Sequence, residues 1–462
     1  MKKCNVKKYG CFLVVFILIL TIATFYLSYG SWNFIGAETR SDSYDSLGKN
    51  MMSFEFDVEP NTINWEGFDI NGKKYMYFGP FPAFVRIVLN AIAPQYYGQW
   101  ARVSCLIAMT IIIFSLYKIF YYVLSRNNFI IKNRYLNQTL MLTTFGFVLG
   151  TPIFYLMISA RIYCEAIMWG VAWSIVSLSL YYYITDKKIF SCKLLFLYSV
   201  SIAFALLSKI TFALPLYILC AILLIDILKN HDSKIKKFLC LSIPAGLGGV
   251  FQLIYNYERF GNIFTSFPTQ MSYLDVVKKY GMFSISRLYD GFYTYLLPNK
   301  DNFSSSFPYI SYMRYEFKNS YLYGDWKEPY VAITISSVFF TFLIIYFAYK
   351  SLKHLYVNKF KGIINYKSIA IICLILESIF ICSFHFLTER YICEFVPLIF
   401  FFLLMFLNKI DNKYVLNSFA ILLVCSVFIT MQSTMSELMY FPNGDYDKTW
   451  VHIWGNIKQI LL

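Results

Sequence analysis

Two carboxylates stand three residues apart in Ser41-Asp42-Ser43-Tyr44-Asp45, in the first long polar segment after the first hydrophobic run. If this segment is helical the two share a face. Just outside a membrane, such a carboxylate can act as general base on a hydroxyl attacking a lipid-linked substrate. The same residues also suit a plain solvated loop. Three cations form a second group. Arg161, Lys209 and Arg390 each fall at a turn between two apolar runs. Arginine holds a phosphate bidentately and lysine holds it as a point charge. The alternatives for these cations are snorkelling anchors or local pairs, such as Arg161 with Glu165 at i,i+4.

These residues need a scaffold, and composition names its class. The chain of 462 residues is 58% hydrophobic and 15% charged, with positive mean hydropathy. That is too apolar for an ordinary soluble protein and fits a polytopic membrane protein. The eleven cysteines are scattered, with no CxxC pair, and none falls in 30–99 or 259–329. A disulfide framework is therefore not expected. Lys2, Lys3, Lys7 and Lys8 precede an apolar run from Cys11 to Tyr29. This reads as an uncleaved signal anchor with a cytoplasmic N-terminus.

Hydropathy predicts about eleven spans at roughly 20 apolar residues each. They lie near 11–29, 100–124, 136–158, 165–184, 194–208, 209–228, 238–257, 330–349, 368–387, 391–408 and 414–431. The run 194–228 is divided at Ser208-Lys209, because a lysine at the centre of a lone span is costly. The basic residues test this map. Arg126, Lys132, Arg134, Lys187, Lys188, Lys193, Lys229, Lys234, Lys236, Lys237, Lys350, Lys353, Lys359, Lys361, Lys367, Lys409 and Lys413 all fall in alternate connections. The short connections opposite carry only Arg161, Lys209 and Arg390. This positive-inside pattern puts both long polar segments and the C-terminal tail outside. It also accounts for most of the net charge of +15 with no nucleic-acid partner.

The expected fold is thus an all-α polytopic membrane protein, one integral membrane domain over 1–462, with extracytoplasmic loops at 30–99 and 259–329. In the first loop, Asp42 to Met52 reads as a short amphipathic helix lying on the membrane. Glu66 to Tyr77 reads as a β-hairpin, since Asn71-Gly72 suits a type I′ turn. The stretch Gly79-Pro80-Phe81-Pro82 turns the chain into an apolar run ending near Ala93. That run is too short to span and suits a re-entrant or interfacial helix.

This layout resembles the GT-C class of polytopic membrane glycosyltransferases, the protein O-mannosyltransferase-like superfamily, in its bacterial type. The first span is followed at once by a long outer loop with early carboxylates. Tyr75–Ala83 is similar to a Tyr-x-x-(Gly)-Pro-x-Pro-Ala stretch of bacterial members. Glu389-Arg390-Tyr391 with Pro397 resembles the Arg-Tyr…Pro turn of a late helix pair. Many members carry Asp-Glu or Asp-x-Asp where this chain has Asp42-x-x-Asp45.

The resemblance implies an inverting transfer, in a bacterial plasma membrane, of a hexosyl or pentosyl group from a polyprenyl-phosphate sugar to a glycan, lipid or protein acceptor. An envelope polysaccharide or a lipid-linked glycan is the expected acceptor. The donor phosphate would meet Arg390, Lys209 or Arg161. Asp42, in preference to Asp45, would be the base, and Glu165 a second carboxylate. Tyr77, Tyr391 and Glu389 would belong to the substrate loop. Some members use a divalent metal and others do not, so no cofactor is assigned. A transporter or flippase, or a glycan polymerase or ligase, are the alternatives. Glu377 and the Pro244–Gly249 cluster point weakly toward transport, but no internal repeat supports it. His231, His354, His385 and His452 show no metal-ligand spacing.

Overall fold

In a bilayer each backbone N–H and C=O must be satisfied within the chain, so apolar runs fold as helices. The computed structural model describes residues 2–28, 30–271, 275–305, 309–310, 320–323, 330–358 and 365–440. The C-terminal tail with His452, Lys359, Lys361 and parts of 259–329 lie outside the described residues.

The leading helix α1 (Lys2–Leu27) is followed by the first outer segment. This contains α2 (Ser43–Met51), α3 (Pro60–Ile63), strands β1 (Phe68–Ile70) and β2 (Lys73–Tyr75), and α4 (Phe81–Ile92). The strands pair antiparallel. Asn71 and Gly72 between them have φ of 51° and 78°, the left-handed geometry of a type I′ turn. Six of the nine α2 residues are buried, because α2 packs on α4. α4 buries Phe81, Pro82, Ala83 and Arg86 and exposes Val88 and Ile92.

Next come α5 (Ala101–Leu124), α6 (Asn128–Lys132), α7 (Leu136–Leu149), α8 (Ile153–Ile158), α9 (Ile162–Lys187), α10 (Cys192–Ser208), α11 (Ile210–Asn230) and α12 (Lys234–Phe260). The second outer segment carries α13 (Asp275–Tyr280) and α14 (Leu288–Leu296). The chain closes with α15 (Ile333–Ser336), α16 (Val338–Asn358), α17 (Tyr366–Cys382), α18 (Glu389–Ile392), α19 (Val396–Lys409) and α20 (Lys413–Tyr440).

Seven helical stretches among the described residues are long and apolar enough to cross a membrane: in α1, α5, α9, α11, α12, Glu389–Lys409 and α20. This marks an integral membrane protein, with fewer full-length spans than the eleven expected. The shortfall has local causes. Residues 136–158 form two helices, because Pro152 has no N–H to donate and disrupts the preceding turn. α10 and α17 have only 17 residues each, and the run 330–349 is parted at Ser337 into α15 and α16. The run 194–228 does break at Lys209, which is extended (φ −161°, ψ 125°). α9 and Glu389–Lys409 each have 78% of their apolar window buried, against 28% for α12 and α20. The first two therefore form the centre of the bundle, and the site lies at their N-terminal ends. Among the described residues no cysteine forms a disulfide.

Candidate functional site

A cavity of about 250 Å³ opens where the Tyr77-Phe78-Gly79 stretch, the start of α9, the α10–α11 break and the α18 turn meet. Each wall has a local cause. Arg259 of α12 donates to the Met76 carbonyl and the Tyr255 hydroxyl donates to the Phe78 carbonyl, at 2.5 and 3.1 Å. These bonds fix Tyr77 between them. Gly79 is pressed on the end of α10, where a Cβ would lie 2.3 Å from the carbonyl oxygens of Leu207 and Ser208. Only glycine allows that approach. The second outer segment adds Phe267 and Phe283. It is held by backbone bonds from Ser284 to the Ser383 carbonyl and from His385 to the Met282 carbonyl, at 2.9 and 2.8 Å.

Most of the lining is apolar, and the charges gather on one wall: Lys209, Arg390 and Glu394. Lys209 sits in the helix break, pairs with the buried Glu394 and lies 4.1 Å over the Tyr391 ring. Arg390 is nearly buried, at 8% exposure. Its guanidinium lies 4.3 Å over the Tyr163 ring, and its Nε donates to Thr388 Oγ1 at 3.3 Å. An apolar chamber with a cationic wall suits an anionic headgroup on a hydrocarbon chain.

The carboxylates of the first outer segment go elsewhere. Asp45 is buried on α2. It accepts from Asn90 Nδ2 at 2.7 Å and pairs with Arg86 Nε at 3.3 Å. Arg86, fully buried on α4, also holds Glu165 of α9 at 2.6 Å. Burial pushes Asp45 up, and Arg86 and Asn90 oppose that shift. Two carboxylates and one guanidinium thus pin α2 and α4 to α9, away from the cavity lining. Asp42, at the N-cap of α2, is partly exposed and packs beside Gly98. Burial raises its pKa, and the negative charge of Asp45 adds to the shift. Asp42 does not line the cavity either.

Of the residues expected from the sequence, the structure brings Arg390, Lys209, Tyr77 and Tyr391 to one cavity. It does not bring Asp42, Asp45, Glu165, Arg161 or Glu389 there. Arg161 is at the N-cap of α9 and acts with Arg102 on the buried Glu38, countering the upward push of burial. Glu389 turns away and accepts the Val331 N–H at 2.8 Å. Glu377 is buried in α17, within electrostatic reach of Glu394 and Lys209. Arg86 escaped the sequence reading, although it is the one charge in the otherwise apolar helix α4. Glu66 escaped it too, and nothing in its local sequence marks it. Its carboxylate accepts from the hydroxyls of Tyr163 and Tyr77 and pairs with Arg40 at 2.8 Å. Among the described residues no group of three or more His, Cys, Asp or Glu is placed to hold a metal ion.

No family model matches the chain, and no curated protein matches it in sequence. Solved structures do match. The oligosaccharyltransferase of Archaeoglobus fulgidus in its apo form superposes with a TM-score of 0.51 at 11% identity, over 95% of this chain and 59% of that one. AglB of the same organism, in complex with an inhibitory peptide and a dolichol-phosphate, gives 0.47 at 14% identity, over 96% and 60%. ArnT of Cupriavidus metallidurans, bound to undecaprenyl phosphate, gives 0.43 at 11% identity, over 92% and 75%. The chain thus spans about three fifths of the oligosaccharyltransferase chains it matches. Its fold is that of the Archaeoglobus fulgidus oligosaccharyltransferase.

Proposed function

We propose that the protein is an inverting glycosyltransferase acting on the outer face of a bacterial plasma membrane. It would move a sugar from a polyprenyl-phosphate donor to a lipid-linked glycan or envelope polysaccharide. The observation that carries this reading is the apolar cavity with Arg390 and Lys209 on one wall. The fold supports it, and AglB and ArnT were solved with dolichol-phosphate and undecaprenyl phosphate respectively. The donor phosphate sits against Arg390, with Lys209 shared between it and Glu394. The polyprenyl chain lies on the apolar lining and leaves into the bilayer. The acceptor oxygen attacks the anomeric carbon, the bond from that carbon to the phosphate oxygen breaks, and polyprenyl phosphate departs. Cations on the phosphate stabilise the charge that the leaving group gains.

Asp42 takes the proton of the acceptor hydroxyl. Asp45 is the weaker candidate because Arg86 and Asn90 already occupy its carboxylate. A raised pKa suits a base, since it brings the carboxylate nearer the working pH. For Asp42 to reach the acceptor, substrate binding must bring the acceptor to the outer segment, beyond the mouth of the cavity. No step is routed through a metal.

The test is transfer by purified protein in nanodiscs with a panel of polyprenyl-phosphate sugars. Asp42→Asn and Arg390→Ala should each lose turnover while keeping the wild-type melting temperature. Unchanged turnover in both variants would remove this site. Absence of turnover with every donor, together with saccharide-lipid translocation, would replace the reading with a flippase.

A further inference from the structure

Glu66 is 6% exposed and belongs to the turn before β1, outside the cavity lining. Both of its oxygens are engaged. Oε1 accepts from the Tyr163 hydroxyl and pairs with Arg40. Oε2 accepts from the Tyr77 hydroxyl at 3.2 Å. Arg40 Nη1 also donates to the Tyr163 hydroxyl, at 2.7 Å. Tyr77 and Tyr163 both line the cavity, and the Tyr163 ring is the surface on which the Arg390 guanidinium rests. A cation over an aromatic face is held by the orientation of that ring. The place of the ring, set by its side-chain rotamer, is held more firmly when its hydroxyl is tied down. Charge-assisted bonds from Glu66 and Arg40 do this.

We propose that Glu66 is a positioning residue for donor binding: through Tyr163 it sets where Arg390 presents its charge to the donor phosphate, and through Tyr77 it fixes the facing wall. The inference rests on the glycosyltransferase reading and extends it. It makes the first outer segment part of the phosphate site, although none of its carboxylates enters the cavity. The line runs Arg40–Glu66–Tyr163–Arg390, from the outer segment across α9 to α18. Glu66 lies outside the cavity lining, so its effect must pass through Tyr163 to Arg390 and, in smaller part, through Tyr77.

A double-mutant cycle on full-length protein in nanodiscs tests this, with affinity for undecaprenyl phosphate as the readout and the melting temperature as a check on folding. Glu66→Ala should weaken binding about tenfold, the scale of a desolvated cation–ring contact. Glu66→Gln, which keeps one acceptor oxygen for the Tyr163 hydroxyl but puts an NH2 that cannot accept in place of the other, should recover part of that loss. Tyr163→Phe, which keeps the ring but not its tether, should fall between wild type and Glu66→Ala. In an Arg390→Ala background, Glu66→Ala should cost only the part that passes through Tyr77, clearly less than in the wild type, because coupled residues are not additive. A full additional loss in that background would overturn the proposal, as would wild-type affinity in Glu66→Ala where Arg390→Ala is impaired. If Arg390→Ala itself binds like wild type, the donor-site reading fails first and takes this inference with it. If Glu66→Ala does not fold, Glu66→Gln and Tyr163→Phe carry the cycle on their own.

Discussion

Two clusters of the same residue types lie within the outer half of this molecule and do opposite things. In one, Arg86 is sealed between Asp45 and Glu165, all with fully buried side chains, and none of the three lines the cavity described above. In the other, Arg390 rests on an aromatic ring at the wall of a cavity, beside the Lys209–Glu394 pair. The first spends its charge on the protein and ties three helices together. The second rests its guanidinium on a ring face at the wall of a cavity. The comparison teaches that charged residues of the same type are sorted into fasteners and binding groups by what they face, and not by type or burial.

Mutations can break or sharpen that contrast. The largest effect is expected from Asp42→Asn, which should lower turnover about 10²–10⁴-fold with little change in donor affinity, the scale of lost general base catalysis. Because the base works unprotonated and the pKa of Asp42 is raised, wild-type turnover should fall on acidification at a pH above the ordinary carboxylate range. The Asn variant should lack that acidic limb. Equal pH profiles for the two proteins would take the base away from Asp42. Next in size, Arg86→Ala should cost about 3–5 kcal/mol of stability, because it strands two buried carboxylates. A melting curve in detergent reads this, and a folded Arg86→Ala protein defective only in turnover would move the fastener into the chemistry. Arg390→Ala should show the reverse pattern, with donor affinity weakened by about 1.5–3 kcal/mol for a hydrogen-bonded charge and the melting curve unmoved. Smallest is Gly79→Ala. Its Cβ would meet two carbonyl oxygens of α10, so the stretch must shift, costing about 1–3 kcal/mol shared between stability and donor affinity.

Much of this architecture was legible because it rests on local rules. A lysine inside an overlong apolar run predicts the break at Lys209, and Asn71-Gly72 predicts the hairpin turn. Positive-inside counting singled out Arg390 and Lys209 as cations out of place, and both line the cavity. The same counting singled out Arg161, which serves Glu38 instead. The misplaced residues are those whose role is set by partners far along the chain. Asp45 looked like half of a catalytic pair because Arg86, its neutraliser, lies 41 positions on. Glu389 looked like part of the Arg390 turn, but its acceptor capacity goes to the Val331 N–H, 58 positions away. Glu66 meets Tyr163 across 97 positions, and no local pattern encodes such a contact. The lengths of the helices within the apolar runs were less legible, for another reason. Hydropathy reports an apolar run, whereas Pro152 divides one such run into two helices.

The helix break at Lys209 also has a consequence for how the chain is made. Lys209 and its partner Glu394 are 185 positions apart, so the lysine is synthesised and inserted long before the carboxylate exists. α10 and α11, with one extended residue between them, would enter the bilayer as a single helical hairpin with the ammonium at its tip. On the expected topology that tip reaches the outer face first, and the ammonium stays in water instead of crossing as the middle of a lone span. Biogenesis thus leaves an exposed positive charge waiting on the far side of the membrane, and the late helices that bring Glu394 and Arg390 close the site around it.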